Sequence, residues 1–247
     1  MCGRFTLRTP PTEIASLFSV QLPIEFQKTP YVPRYNIAPS QQITVILQDH
    51  PEDAEFGESG STDSGRLWKL FRWCLIPSWA KDTKIGYKLI NARGETLGEK
   101  PSFRNAFKKR RCLILADGFY EWKKTSSGKV PFHFGLDNGG VMAFAGLWER
   151  WKKDDPTLYS CTIVTTEANE LLGKLHDRMP VILDAADHDK WLDPEFQNTE
   201  ELQSLLQPYS ADEMVSREAN PIVNHVKNET PECLEEPPPK EIPNELF

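Results

Sequence analysis

Apolar residues along the chain fall into many short strand-like runs and a few helical ones. In PPTEIASLF (10–18), Ile14, Leu17 and Phe18 recur at helical spacing, the prolines suit a first turn, and Thr9 is placed to cap it. ITVIL (43–47), LWKLFRWCLI (67–76), CLILA (112–116), GFYEWKK (118–124), VMAFAGL (141–147) and LYSCTIVTT (158–166) carry the β-branched and aromatic residues of strands. The turn signals SSGK (126–129) and DNGG (137–140) between them predict hairpins. Short helices are expected in EANELLGKL, after Thr166, and in TEELQSLL, where Asn198 and Glu201 form a candidate capping box. Two segments lack any period. The acidic, Ser/Gly-rich stretch 51–65 is expected to be a solvent loop, and the Pro/Glu-rich residues 227–247 a mobile tail. No regular βαβ alternation is present, so residues 1–226 are expected to form one α+β domain with mostly antiparallel strands.

Composition narrows the function classes. With 247 residues, an apolar fraction of 39% and seven tryptophans, the chain can bury a substantial core. A net charge of −7 argues against a non-specific polyanion binder, although much of the acidity lies in the two aperiodic segments. The five cysteines form no CxxC pair, which fits free thiols in a reducing compartment; Cys74, Cys112 and Cys161 lie in apolar runs and are expected to fill core space. The five histidines show no zinc-ligand spacing, so neither metal nor cofactor is expected. No run is long enough to span a membrane, and the N-terminus lacks the apolar stretch of a signal peptide. The expectation is an intracellular monomer, in the cytoplasm or nucleoid, or in the nucleus of a eukaryotic host.

Five stretches place polar residues at turns or strand ends among apolar neighbours: MCGRF (1–5), RYNIAPSQ (34–41), NARGET (91–96), ADGFYEW (116–122) and LHDRMPVIL (175–183). Singly, each has an ordinary reading. Asn91 suits a turn, Glu121 a solvent-facing strand position, His176 a surface turn, and Arg4, Arg34, Arg93 and Arg178 a charged surface. Cys2 differs in its position. Aminopeptidases remove Met1 when the next side chain is small, which would leave an α-amine and a thiol on adjacent carbons. No internal cysteine offers that pair.

In order, MCGR, YNIAP, IPSW, NARGET, DGFYEW and HDRMP resemble the SOS response-associated peptidase (SRAP) family, abasic-site-processing proteins that crosslink to DNA. The resemblance runs from Cys2 to about Val226, with one departure: Cys74 stands where the family usually has glycine in WGLIPSW. It implies a barrel-like β core surrounded by short helices. It also implies that Cys2 closes a thiazolidine on the open-chain aldehyde of an abasic site in single-stranded DNA. Glu121 would lie beside Cys2 as a proton shuttle, and Asn91 would hold the amine or thiol. His176 would move protons around the Schiff base and toward the phosphate leaving group, with AP lyase as a side activity. Arg4, Arg93 and Arg178 would pair with phosphates, Arg104 and the run KKRR (108–111) would extend that positive patch, and Pro39 and Trp79 would stack or wedge against bases. Two other readings stay open: a thiol peptidase acting on its own N-terminus, and a non-covalent reader of modified bases.

Overall fold

Several apolar runs are buried on both faces, which is what a closed sheet requires; RCLILA (111–116) is buried at all six positions. The computed structural model describes residues 2–28, 30–49, 64–126, 128–153 and 156–238. Its strands are β1 (Phe5–Leu7), β2 (Arg34–Ile37), β3 (Gln42–Gln48), β4 (Arg66–Trp73), β5 (Asn91–Arg93) and β6 (Arg111–Ala116). They continue with β7 (Gly118–Thr125), β8 (Gly128–Leu136), β9 (Met142–Trp151), β10 (Leu158–Glu167), β11 (Arg178–Pro180) and β12 (Met214–Glu218).

Strands β3, β4, β10, β9 and β6 close on themselves as a five-stranded barrel, antiparallel at every pairing except the parallel β4–β10 seam. Two short strands extend β10 beyond the barrel: β5 runs parallel to it and β11 antiparallel. The second sheet has the order β12-β8-β7-β1-β2. Aromatic contacts join the two layers, with the Phe5 ring 5.2 Å from Trp73 and 6.2 Å from Phe144. Gly146 lets β9 lie close to β6, since a Cβ there would sit 2.8 Å from Cys112 Sγ. The α+β, barrel-based architecture is the expected one.

Several local expectations change. Helix α1 (Pro11–Leu17) starts behind Pro10, and Thr9 does not cap it: the Thr9 amide and hydroxyl donate to Asp117. Ile14 and Phe18 are buried as expected, but Leu17 is 58% exposed. EANELLGKL forms only a 3-10 turn at Leu172–Lys174, with Asn169 Oδ1 accepting the Leu172 amide at its start. DNGG is a turn but no hairpin, since it carries the chain from β8 in one sheet to β9 in the barrel. Only the N-cap half of the capping box forms: Asn198 Oδ1 accepts from the Glu200 and Glu201 amides at the start of the helix Thr199–Ser204, while Glu201 Oε1 accepts from the Asn198 side-chain amide instead of its backbone N–H. Cys74, Cys112 and Cys161 are buried free thiols. At Cys74 the φ of 159° borders extended backbone, so a side chain replaces the family's glycine without needing the left-handed region.

The expected tail divides. Residues 239–247 lie outside the described residues, as do 51–63 of the acidic loop. Asn228 to Leu234, however, pack against β2 and β7, and Cys233 and Leu234 are buried with Tyr120. Among the described residues no helix is long and apolar enough to cross a membrane, and no group of His, Cys, Asp or Glu is placed to hold a metal.

His133 on β8 is buried under Gly118, where a Cβ would fall 2.0 Å from its Nε2, and it meets Thr6 Oγ1 at 3.2 Å. Burial, helped by Arg217 and Arg8, pulls its pKa from the ordinary 6.5 down to about 3. The unfolded chain therefore binds a proton at His133 that the folded chain refuses. Stability is full above pH 6.5 and declines as pH falls toward 3, by up to about 1.4 kcal/mol per unit. His188 shifts the same way through burial, while Glu149, raised by burial, opposes the trend. Urea midpoints measured between pH 6.5 and 4.5 should fall more steeply for the wild type than for His133→Gln. Parallel curves would show that His133 does not drive the acid loss.

Candidate active site

The N-terminal strand is held in place mainly by one buried carboxylate. Asp117, between β6 and β7, accepts from Thr6 Oγ1 (2.6 Å), the Thr9 amide (3.1 Å), Arg8 Nε (3.1 Å) and the Arg8 amide. Just before β1, the Tyr120 amide donates to the Arg4 carbonyl at 2.9 Å. This register brings Cys2 to the part of β7 that carries Glu121, and both residues are buried. Their proximity is electrostatic as well as geometric. Burial first, and the Glu121 charge second, push the Cys2 thiol up to about 12. The thiol lies 3.8 Å from the Arg4 carbonyl.

Asn91 arrives from the other sheet. Its strand pairs with Ile163 of β10, and its Nδ2 donates to the Cys2 carbonyl at 2.8 Å. Its Oδ1 is buried and accepts no hydrogen bond among the described residues. The structure thus brings together Cys2, Asn91 and Glu121. His176 sits in the turn before β11, where its Nδ1 lies 3.0 Å from the Arg178 amide and 2.9 Å from Asp177 Oδ1. These two neighbours demand opposite roles of Nδ1. It accepts from the amide when bare and donates to the carboxylate when protonated.

The arginines are placed unequally. Arg4 donates to Asn36 Oδ1 and, at 2.9 Å, to the Val223 carbonyl, and it lies 5.7 Å over the Trp122 ring. Arg178 gives both terminal nitrogens to Glu95 and has a side chain only 9% exposed. Arg93 and Arg104 are exposed and make no side-chain hydrogen bond among the described residues. The KKRR run is not the uniform positive patch that its charge suggests. Arg110 pairs with Glu149, and Arg111 is buried, donating to carbonyls of Phe107, Lys108, Trp191, Asp193 and Phe196. Pro39 and Trp79 occupy neighbouring loops, joined by the Ser40 amide donating to the Trp73 carbonyl at 2.7 Å. Pro39 and Ser40 form the corners of a turn, with Ser40 at φ 76° where glycine is usual, and Trp79 is 56% exposed.

Sequence reasoning passed over four residues of this region. Asp117 and Glu95 were inside quoted motifs but carried no assigned role. Asn36 donates to the Val223, His225 and Asn228 carbonyls. Glu229 accepts from the Tyr35 and Asn36 amides and from Arg34. Nothing in the acidic run around Glu229 marks it out from its neighbours.

A barrel fused to a five-stranded sheet, with a cysteine one residue from the start buried between an amide and a carboxylate, defines a cysteine-centred α+β protein. The SOS response associated peptidase (SRAP) family profile matches residues 1–226, and the chain belongs to that family. The abasic site processing protein YoqW of Bacillus subtilis is 48% identical over 239 residues, covering 95% of this chain and 99% of the relative. The abasic site processing protein HMCES of Xenopus tropicalis is 30% identical over 269 residues, covering 95% of this chain and 78% of the relative. A crystal structure of a protein from Bacteroides thetaiotaomicron shares the fold, with a TM-score of 0.80 at 24% identity over 95% of this chain and 99% of that one.

Proposed function

We propose that this protein processes abasic sites in single-stranded DNA by capping their aldehyde with Cys2 after loss of Met1. The observation that carries the reading is the cluster itself: Asn91 fixes the Cys2 main chain while its buried Oδ1 stays open to a donor, and Glu121 lies alongside. The relatives named for abasic-site processing support it at 48% and 30% identity.

The raised thiol pKa orders the chemistry. A buried neutral thiol is a poor first nucleophile, whereas an α-amine with an ordinary pKa of about 7.7–8.0 is partly free near neutral pH. The amine nitrogen attacks C1′ of the open-chain sugar, and the carbinolamine loses water to give an imine. The sulfur then adds to the same carbon. Its proton passes to Glu121, and the imine nitrogen takes up a proton to become a secondary amine. Aldehyde and aminothiol become a five-membered thiazolidine and one water. His176 handles protons on the phosphate side, so an imine that persists there leads to β-elimination of the 3′ phosphate. Exposed Arg93 and Arg104 meet the backbone and Arg4 steadies the strand beside Cys2, while Trp79 and Pro39 face flanking bases.

Intact-mass spectrometry tests the reading. Mixed with an oligonucleotide carrying one abasic site, the protein should gain the mass of that strand less one water, on a chain lacking Met1. The same strand with an intact base should add nothing. If the abasic strand also adds nothing although Met1 is gone, the reading fails.

A further inference from the structure

Arg4 is held by its surroundings in one orientation. One terminal nitrogen, Nη1, donates to Asn36 Oδ1 at 2.5 Å and to the Val223 carbonyl at 2.9 Å, which uses both of its hydrogens. Nε and the other terminal nitrogen make no hydrogen bond among the described residues. The guanidinium thus presents a free two-pronged edge, the geometry that suits a phosphate. Asn36 is fully buried, and its amide nitrogen faces three carbonyls, those of Val223, His225 and Asn228. Its oxygen therefore points the other way, toward Arg4. All of these carbonyls belong to the segment 223–228, and one residue further on Glu229 fastens that segment to β2. One Glu229 oxygen accepts the Tyr35 and Asn36 amides, and the other accepts the Arg34 side chain. Asn224 of the same segment accepts from the Trp122 indole at 2.6 Å, fixing the ring over which Arg4 lies.

We propose that Glu229 is a positioning residue for DNA binding: by docking the segment 223–229 against β2 it fixes Asn36 and the Val223 carbonyl, and these aim the free edge of Arg4 at a backbone phosphate beside Cys2. This rests on the abasic-site reading above, which supplies the strand. The expected sign is opposite to that of simple electrostatics. Removing a carboxylate from a chain of net charge −7 ordinarily favours a polyanion. Here loss of Glu229 weakens DNA binding, because the cation it serves loses its aim. The Glu229 side chain is 26% exposed, so alanine can replace it without leaving a closed cavity.

The test measures the affinity of the full-length protein for a single strand carrying one tetrahydrofuran abasic analogue, which has no aldehyde, at several salt concentrations. Stoichiometric titration at high concentration counts the competent fraction, so a poorly folded preparation reads as fewer sites and not as weaker ones. Arg4→Ala should bind about tenfold more weakly, the scale of a hydrogen-bonded charge contact, with a salt slope shallower by about 0.7. Glu229→Ala should lose about threefold or more at the same salt. Glu229→Gln keeps one acceptor oxygen for the β2 amides and should fall between it and the wild type. In the Arg4→Ala background, Glu229→Ala should add nothing, as expected when one residue acts through the other. Three results would overturn the proposal: Glu229→Ala binding as tightly as the wild type or more tightly, an equally large loss in the Arg4→Ala background, or an unchanged salt slope in Arg4→Ala. If Glu229→Ala yields no competent sites, Glu229→Gln takes its place in both comparisons. A wild-type protein that forms no adduct with an aldehyde-bearing abasic strand would instead remove the reading on which the proposal stands, before any variant is compared.

Discussion

Cys2→Ala is expected to abolish the covalent adduct completely while leaving affinity for a tetrahydrofuran-containing strand within about twofold. Alanine keeps the small side chain that permits Met1 removal and keeps the carbonyl that Asn91 holds, so the fold and the main-chain placement survive. What disappears is the sulfur, and an imine formed by the remaining amine stays open to hydrolysis or strand cleavage. Cys2→Ser sharpens the point. A hydroxyl in place of the thiol gives an oxazolidine, a far less stable ring, so any adduct should be reversible and trapped only by borohydride reduction. A serine variant with a wild-type yield of stable adduct would exclude the thiazolidine.

The second large effect is expected at Glu121. Glutamine has the same shape and suits the buried position, but it neither accepts the thiol proton nor carries charge. Crosslinking should slow by about a hundredfold, the usual scale for losing a positioned acid–base group. The same substitution removes the second-largest cause of the raised Cys2 pKa, so the thiol should ionise at lower pH than in the wild type. Two readouts then move in opposite directions: slower adduct formation, and faster alkylation of Cys2 by iodoacetamide at a fixed pH near 8. Both rates falling together would indicate that Glu121 mainly supports the local structure.

Much of the central cluster could be read from the chain itself, because its members lie within short motifs whose residue types already suit the chemistry. Cys2, Asn91 and Glu121 come together as the resemblance implied. The arginines were harder, since charge type is visible in a sequence and pairing is not. Arg178 finds Glu95 across 83 positions, and Arg110 finds Glu149 across 39. Arg111 looked like surface charge, yet it supplies donors to the carbonyl ends of the helices Arg104–Lys109 and His188–Leu192, a role set by tertiary packing. Strand runs were legible and their partners were not. A DNGG turn announces a reversal without saying whether the next strand stays in the same sheet. Composition misled at 228–234, where a Pro/Glu-rich segment looks unable to order itself. One carboxylate, that of Glu229, satisfies two amides of the edge strand β2 and anchors it.

That anchoring has a consequence for timing. The Val223 carbonyl that steadies Arg4 lies 219 positions along the chain, and the carboxylate that covers Asn36 lies 193 positions from it. A ribosome delivers the beginning of the chain long before its end. The residues ahead of β1 therefore have no strand partner until β7 has emerged, and the contacts that Val223 and Glu229 make to Arg4 and Asn36 form only once the C-terminal segment has followed. Trimming of Met1 has that interval in which to act on an extended, accessible terminus. After the segment docks, Cys2 is buried and its reactive pair meets only what the finished pocket admits.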